Sequence, residues 1–168
     1  MDKTKLLMLL MLLVTLLSVA FYFVPKTNIE LIFAIQIAIG LSLGPKSPLV
    51  FSMYADTADF SEWKTGRRAT AMIFSAAAFA QKLGGAIAGA MMGWVLASMG
   101  YVANQQQSGA SEYGIVLLMT LIPAAFAFLS ILIIRLYPLT NNEIERLQAD
   151  LRVRKNNDLY SEEGKVGA

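Results

Sequence analysis

A lysine stands near the middle of a long apolar run, and no carboxylate lies at comparable depth elsewhere in the chain. The run extends from Ala69 to Met99, with thirteen residues between one end and Lys82 and seventeen to the other. As a helix rising ~1.5 Å per residue, this puts the lysine roughly 20 Å from either end, beyond the reach of a side chain that snorkels to water. An unpaired charge at that depth costs ~3 kcal/mol or more, so the helix must turn Lys82 toward protein or a wet cavity. Asp56, Asp59 and Glu62 fall where a connecting loop is expected, and Glu30 lies at the edge of a segment. The partner carboxylate is therefore expected on another polypeptide, or on a part of the protein outside this chain.

Composition supports the same setting. Hydrophobic residues make up 56% of the chain and charged residues only 15%, against ~25% charged in soluble domains. With no cysteine and no histidine, disulfides, thiolate metal sites and histidine-based acid–base catalysis lose their usual groups. The chain reads as a membrane protein and not as an enzyme. A formal net charge of +2, with the basic residues beside apolar segments, gives no sign of a nucleic-acid partner.

Four apolar stretches, near 6–24, 29–54, 69–99 and 113–137, each reach the ~20 residues needed to cross a bilayer. Lipid offers no partner for free backbone N–H and C=O groups, so each span is expected to be helical. The second has an irregular centre at Gly44-Pro45-Lys46-Ser47-Pro48, and the fourth contains Pro123. Lys3 and Lys5 before the first span could belong to a secretory signal. Its ~19-residue apolar core and the lack of a small-x-small cleavage site favour a retained span. Residues 1–138 thus form a transmembrane domain, and 139–168 a cytoplasmic tail.

Orientation follows from the basic residues. Lys3, Lys5, Lys64, Arg67, Arg68, Arg135, Arg146, Arg152, Arg154, Lys155 and Lys165 share one side, eleven of the fourteen. Only Lys26 lies opposite, while Lys46 and Lys82 fall within spans. The positive-inside rule puts both termini and the 55–68 loop in the cytoplasm.

At ~100° per residue, Ala71, Ser75, Ala78, Gly85, Ala86, Gly89 and Gly93 fall on the face of the third span that carries Lys82. Gly85, Gly89 and Gly93 double a small-x3-small pattern that lets helix backbones approach closely in membranes. Packing alone accounts for the glycines but not for a charge in the seam. Gln81 lies at the edge of this face and could hydrogen-bond a polar ligand.

The 55–68 segment sets Asp56, Asp59 and Glu62 among Lys64, Arg67 and Arg68, with aromatic residues between, and could form a salt-bridged network at the membrane surface. Its residue order adds more. Gly44-Pro45-Lys46-Ser47-Pro48, then Tyr54-Ala55-Asp56-Thr57-Ala58-Asp59-Phe60-Ser61-Glu62-Trp63-Lys64, then Thr65-Gly66-Arg67-Arg68 and finally Gln81-Lys82-Leu83-Gly84-Gly85 resembles the glycoside–pentoside–hexuronide:cation symporters, the melibiose carrier's relatives within the major facilitator fold. The resemblance implies the last four helices, ninth to twelfth, of a twelve-helix carrier. It implies a sugar or glycoside substrate, sodium or proton as coupling ion, no other cofactor, and a bacterial inner membrane. Lys82 matches a lysine that lies near the cation and sugar sites in this family. The family's cation-binding aspartates and main sugar-binding acids belong to the N-terminal half, where the missing partner of Lys82 would be. In the melibiose branch a tryptophan and a Gln-Thr pair hold the sugar; the matching positions here are Ser47, Ala77 and Ala78. That departure points away from galactosides, toward pentosides or hexuronides.

In the tail, Thr140-Asn141-Asn142-Glu143 reads as a capping box, and Ile144, Leu147 and Leu151 recur at helical spacing. A short amphipathic helix ending near Asn156 is expected, with disorder over 157–168. Arg146, Arg152, Arg154 and Lys155 would lie where anionic lipid attracts them. Two other function classes remain. A dimeric four-helix exporter would need an embedded acid, which the spans lack. A non-transporting subunit that acts by helix association would use Lys82 for pairing between chains.

Overall fold

The computed structural model describes residues 2–139 and 141–166, with side chains described as far as Asn157. Among the described residues seven helices follow one another: α1 (Lys3–Tyr22), α2 (Ile29–Leu43), α3 (Lys46–Thr65), α4 (Thr70–Ser98), α5 (Gly109–Met119), α6 (Leu121–Ile134) and α7 (Asn141–Val166). Four segments are long and apolar enough to cross a membrane: α1, α2 with α3, α4, and α5 with α6. No strand occurs among the described residues.

Local chemistry sets the boundaries. Asn28 caps α2 by accepting the Leu31 N–H at 3.3 Å, and Glu30 complements the positive end of the helix dipole. Pro45 and Pro48 have no N–H to offer the carbonyls four residues back, so the second span bends at Gly44-Pro45. The irregular stretch is only these two residues wide, and Lys46, Ser47 and Pro48 are already helical. Pro123 has the same effect on the fourth span, which breaks at Thr120, one residue beyond the Met119 carbonyl that Pro123 cannot bond. There the Thr120 hydroxyl donates to the Val116 carbonyl at 2.6 Å, replacing part of the lost ladder.

The 55–68 loop expected from the charge pattern is corrected. Asp56, Asp59, Glu62 and Lys64 stand on α3, which continues to Thr65. No glycine or proline lies between Pro48 and Gly66, and the first residue able to end the helix is Gly66, at φ 70°. The connection to α4 is only Gly66 to Ala69. The tail helix is also longer than expected and runs to Val166, so disorder does not begin at 157. Thr140, the proposed cap, lies outside the described residues, as do 167 and 168.

Helix α1 is the centre of the bundle, packed between α6 and α2. Leu7, Met11 and Val14 are buried along it, and Met11 and Val14 meet Ala127 with Leu10, Ile131 and Ile134 around them. The four spans alternate in direction, so the start of α1, the end of α3, the start of α4 and all of α7 gather at one end, called here the basic end. Helix α4 stands apart. It leans on α3 near the basic end, where Phe74 meets Phe51 and Tyr54, and on α5 at the other end. At that second joint the Ser111 hydroxyl donates to the Met99 carbonyl at 2.9 Å. A Cβ on Gly114 would come within 2.9 Å of Met99 Cγ, whereas one on Gly109 meets nothing within 4 Å. Gly114→Val should therefore loosen the joint by about 1–3 kcal/mol. The measurement is the unfolding temperature in detergent, with Gly109→Val as the comparison that should change it little.

Candidate functional site

Lys82 lies halfway along α4, exposed, with no ion pair or hydrogen bond among the described residues. Gln81 beside it is also exposed and has no hydrogen bond among the described residues. No residue of α4 is buried, and a Cβ placed on Gly84, Gly85, Gly89 or Gly93 meets nothing within 4 Å. The small-residue face that carries the lysine is thus uncovered along its whole length. Phe79, Leu83, Ile87 and Trp94 are also exposed on the same helix. Hydrophobic flanks, a backbone open to close approach and one midspan cation make a surface suited to a helix that brings a carboxylate.

The acidic residues do not approach Lys82. They form a second constellation at the basic end, and only some of the expected bases take part. Asp56 is 4% exposed and receives Lys3 Nζ on both oxygens, at 3.0 and 2.7 Å. Asp59 accepts from Arg68 Nη2 at 2.8 Å and from Gln148 Nε2 at 3.2 Å. Glu62 Oε1 pairs with Lys155 Nζ at 3.1 Å. Its other oxygen is buried without a hydrogen bond, 3.8 Å from Arg68 Nε. Three acids spaced at i, i+3 and i+6 on one helix face therefore hold cations from three places: α1, the turn after α3, and α7.

Tail and span are tied through Trp63 as well. Its indole N–H donates to Asp150 Oδ2 at 3.3 Å, and Arg154 Nη1 donates to the Trp63 carbonyl at 3.2 Å. Ile144, Leu147 and Leu151 are buried beneath these bonds, so the apolar spacing in the tail is the stripe that docks α7 on α3. Between the two helices a cleft of about 310 Å³ is floored by Phe60 and Trp63. Near this end, beyond α6, burial pushes the Tyr137 phenol above its ordinary value; a hydrogen bond with Thr57 opposes the shift and the charge of Asp56 adds to it.

Lys64 and Arg67, expected in the network, lie outside it. Lys64 stands over the Phe60 ring at 5.9 Å, and the contacts of Arg67 run through its backbone to Ser61 and Thr65. Lys3, Gln148, Asp150, Arg154 and Lys155 were missed as members. The signal available in the sequence was helical: the acids recur every three residues with no glycine or proline between Pro48 and Gly66, which keeps them on one side of a continuing helix and points them at its neighbours. Among the described residues no group of three His, Cys, Asp or Glu could hold a metal ion.

Asp56 and Lys3 join the ends of two spans, and the carboxylate has little water to replace its partner. Lys3→Ala should destabilise the bundle by about 2 kcal/mol, less than a fully buried pair because a third of the lysine remains exposed. The double variant Lys3→Ala/Asp56→Ala should recover part of the loss. Thermal unfolding in detergent checks both.

Four alternating apolar spans, a small-residue face with one midspan lysine and a charged clasp at one end define a multi-pass α-helical membrane protein. Comparison with known sequences makes the class specific. Residues 1–141 match the family model described as MFS/sugar transport protein, and the chain belongs to that family. It is similar to the inner membrane symporter YicJ of Escherichia coli, 35% identical over 83% of this chain and 31% of that protein. It is similar to the uncharacterized symporter YnaJ of Bacillus subtilis, 30% identical over 91% of this chain and 33% of that protein. It also resembles the putative glycoside/cation symporter YagG of Escherichia coli, 30% identical over 82% of this chain and 30% of that protein. The chain therefore spans about a third of the length of these relatives. No solved structure matches it.

Proposed function

We propose that this chain is the C-terminal third of a cation-coupled sugar symporter for glycosides, pentosides or hexuronides, driven by sodium or protons. On this reading both termini and the α3–α4 connection face the cytoplasm. The supporting observation is Lys82: a midspan cation without a partner, on a helix face that nothing covers among the described residues. A carrier whose two halves rock about a central site requires a face of this kind where the halves meet. Lys82 would pair with a carboxylate of the other half, and Gln81 would hydrogen-bond the sugar. The charged cluster on Asp56, Asp59 and Glu62 would hold the cytoplasmic ends of α1, α3 and α7 in register.

Co-expression with the complementary two thirds of YicJ tests this. Restored gradient-driven uptake of a glycoside, pentoside or hexuronide supports the split-carrier reading. A stable complex without uptake favours the other one, a non-transporting subunit that acts by helix association.

Orientation has its own test. The chain has no cysteine, so single cysteines at Lys64 and Gln106, both exposed, can be labelled from either side of sealed vesicles. The eleven basic residues at one end predict that Lys64→Cys reacts only from the cytoplasmic side and Gln106→Cys only from the outside. Labelling of both from outside contradicts the orientation.

A further inference from the structure

Helix α4 is free on every side, not only on the face of Lys82. Each residue from Ala78 to Ala90 is exposed, more than three turns of helix, so the side turned toward the bundle is as uncovered as the side turned away. Its two joints, on α3 and on α5, hold only its ends. Toward the end opposite the basic end lies a slot of about 530 Å³ to which every span contributes, with Ser18 of α1, Gln36 of α2, Met92 of α4, Leu118 of α5 and Pro123 of α6 in its lining. Met92 is ten residues along α4 from Lys82, roughly 15 Å, so the slot is separate from the site around that lysine.

Two polar groups in the slot lack partners. Thr15, Ser42, Thr57, Thr120 and Ser130 each donate their hydroxyl to the carbonyl four residues back. Ser18 does not. It is 2% exposed, lines the slot and has no hydrogen bond among the described residues. The partly buried Gln36 carboxamide has none either. Ser18 stands roughly 6 Å inside the end of α1 and Gln36 roughly 10 Å inside the start of α2, within apolar spans where lipid offers no hydrogen bond.

We propose that a transmembrane helix from the rest of the carrier seats in this slot and hydrogen-bonds Ser18 and Gln36 with a neutral polar side chain, Ser, Thr, Asn or Gln. The helix comes from the two thirds of the relatives' length that this chain does not span, so the proposal rests on the carrier reading. The lining selects this occupant. An acyl chain offers Ser18 and Gln36 no hydrogen bond. A sugar needs more polar groups than one hydroxyl and one carboxamide, and no aromatic ring lines the slot for it to stack on. A charged side chain finds no counter-charge there, since the lining holds no Asp, Glu, Lys or Arg. A helix about 10 Å across that fills the slot and runs on past it also covers the bundle side of α4 from Ala78 to Ala90.

The test is photo-crosslinking in membranes that hold this chain and the complementary two thirds of YicJ, with a benzophenone amino acid in place of Leu43 or of Met92, both in the lining. Each probe should couple to the complementary part, and peptide mass spectrometry should place the attachment within one turn of a Ser, Thr, Asn or Gln in an apolar segment. In pull-downs through a tag on this chain, Ser18→Ala and Gln36→Leu should each lower the recovered complementary part about threefold, the size of one interhelical hydrogen bond in a membrane. Ser130→Ala, whose hydroxyl already bonds the Phe126 carbonyl, should not. Ile39→Trp, which fills the slot and leaves both polar groups, should cut recovery at least as far, and circular dichroism confirms that each variant is folded. Attachment to lipid alone or to a second copy of this chain overturns the proposal. So does recovery with Ser18→Ala and Gln36→Leu as high as with Ser130→Ala. When the complementary part co-purifies with the unaltered chain, such a result leaves the carrier reading standing; when it does not co-purify at all, both fall.

Discussion

Lys82→Ala in the reconstituted two-part carrier is expected to lower gradient-driven uptake at least tenfold, about 1.4 kcal/mol of lost coupling, while Lys5→Ala stays within about twofold. The contrast comes from depth. Lys5 sits near the basic end, pairs with Asp2 one turn away and keeps most of its surface in water, so its charge contributes little. Lys82 is held midspan on a face made of glycine and alanine, where any partner charge would be desolvated. Lys82→Arg keeps the charge but places a larger, planar group on a face built for close approach, and should recover only part of the activity. Downhill exchange of sugar separates coupling from folding. A variant that still exchanges but no longer accumulates has lost the ion link, and one that does neither has lost the site or the fold. Accumulation unchanged by Lys82→Ala would reduce the lysine to a structural role.

The parts of this molecule that were legible in the sequence follow from lipid as solvent. Four runs of sufficient length had to be helices, and their alternation brings the basic residues to one end. The bends were legible as prolines, although Pro123 acts by breaking the helix at Thr120 before it. The charged segment was misread because a dense pattern of acids and bases was equated with a loop. Between Pro48 and Gly66 nothing stops a helix, and Asp56, Asp59 and Glu62 recur on a single face. Once α3 is continued past the membrane edge, its acids must be neutralised from neighbouring helices. Long-range partners such as Lys3, Gln148 and Lys155 depend on tertiary geometry that no local spacing encodes. The exposure of Lys82 was legible for the opposite reason: a midspan charge with no acid at its level cannot be satisfied by any packing of these four spans.

Taken alone, the chain is expected to insert in membranes without accumulating any sugar. Its own packing already explains the first half: α1 buries Leu7, Met11 and Val14 against its neighbours, and the clasp from Lys3 and α7 closes one end. The second half follows from α4. Alternating access needs two bodies that move against each other around a site, and here one helix carries both candidate site residues, Lys82 and Gln81, with nothing among the described residues opposite them. Twenty-nine residues of α4 with no buried position leave Phe79, Ile87, Met92 and Trp94 and the glycine face open. In a bilayer such a face attracts other helices, so polydisperse particles and low yield are expected from detergent extracts of the lone chain. Adding the complementary part should narrow the size distribution and raise the unfolding temperature, as binding to the folded state does by mass action. The decisive measurement uses purified chain in sealed vesicles with an imposed sodium or proton gradient. Accumulation of a glycoside or pentoside by this polypeptide alone would mean that four helices, associating with copies of themselves, supply both the moving bodies and the counter-charge for Lys82.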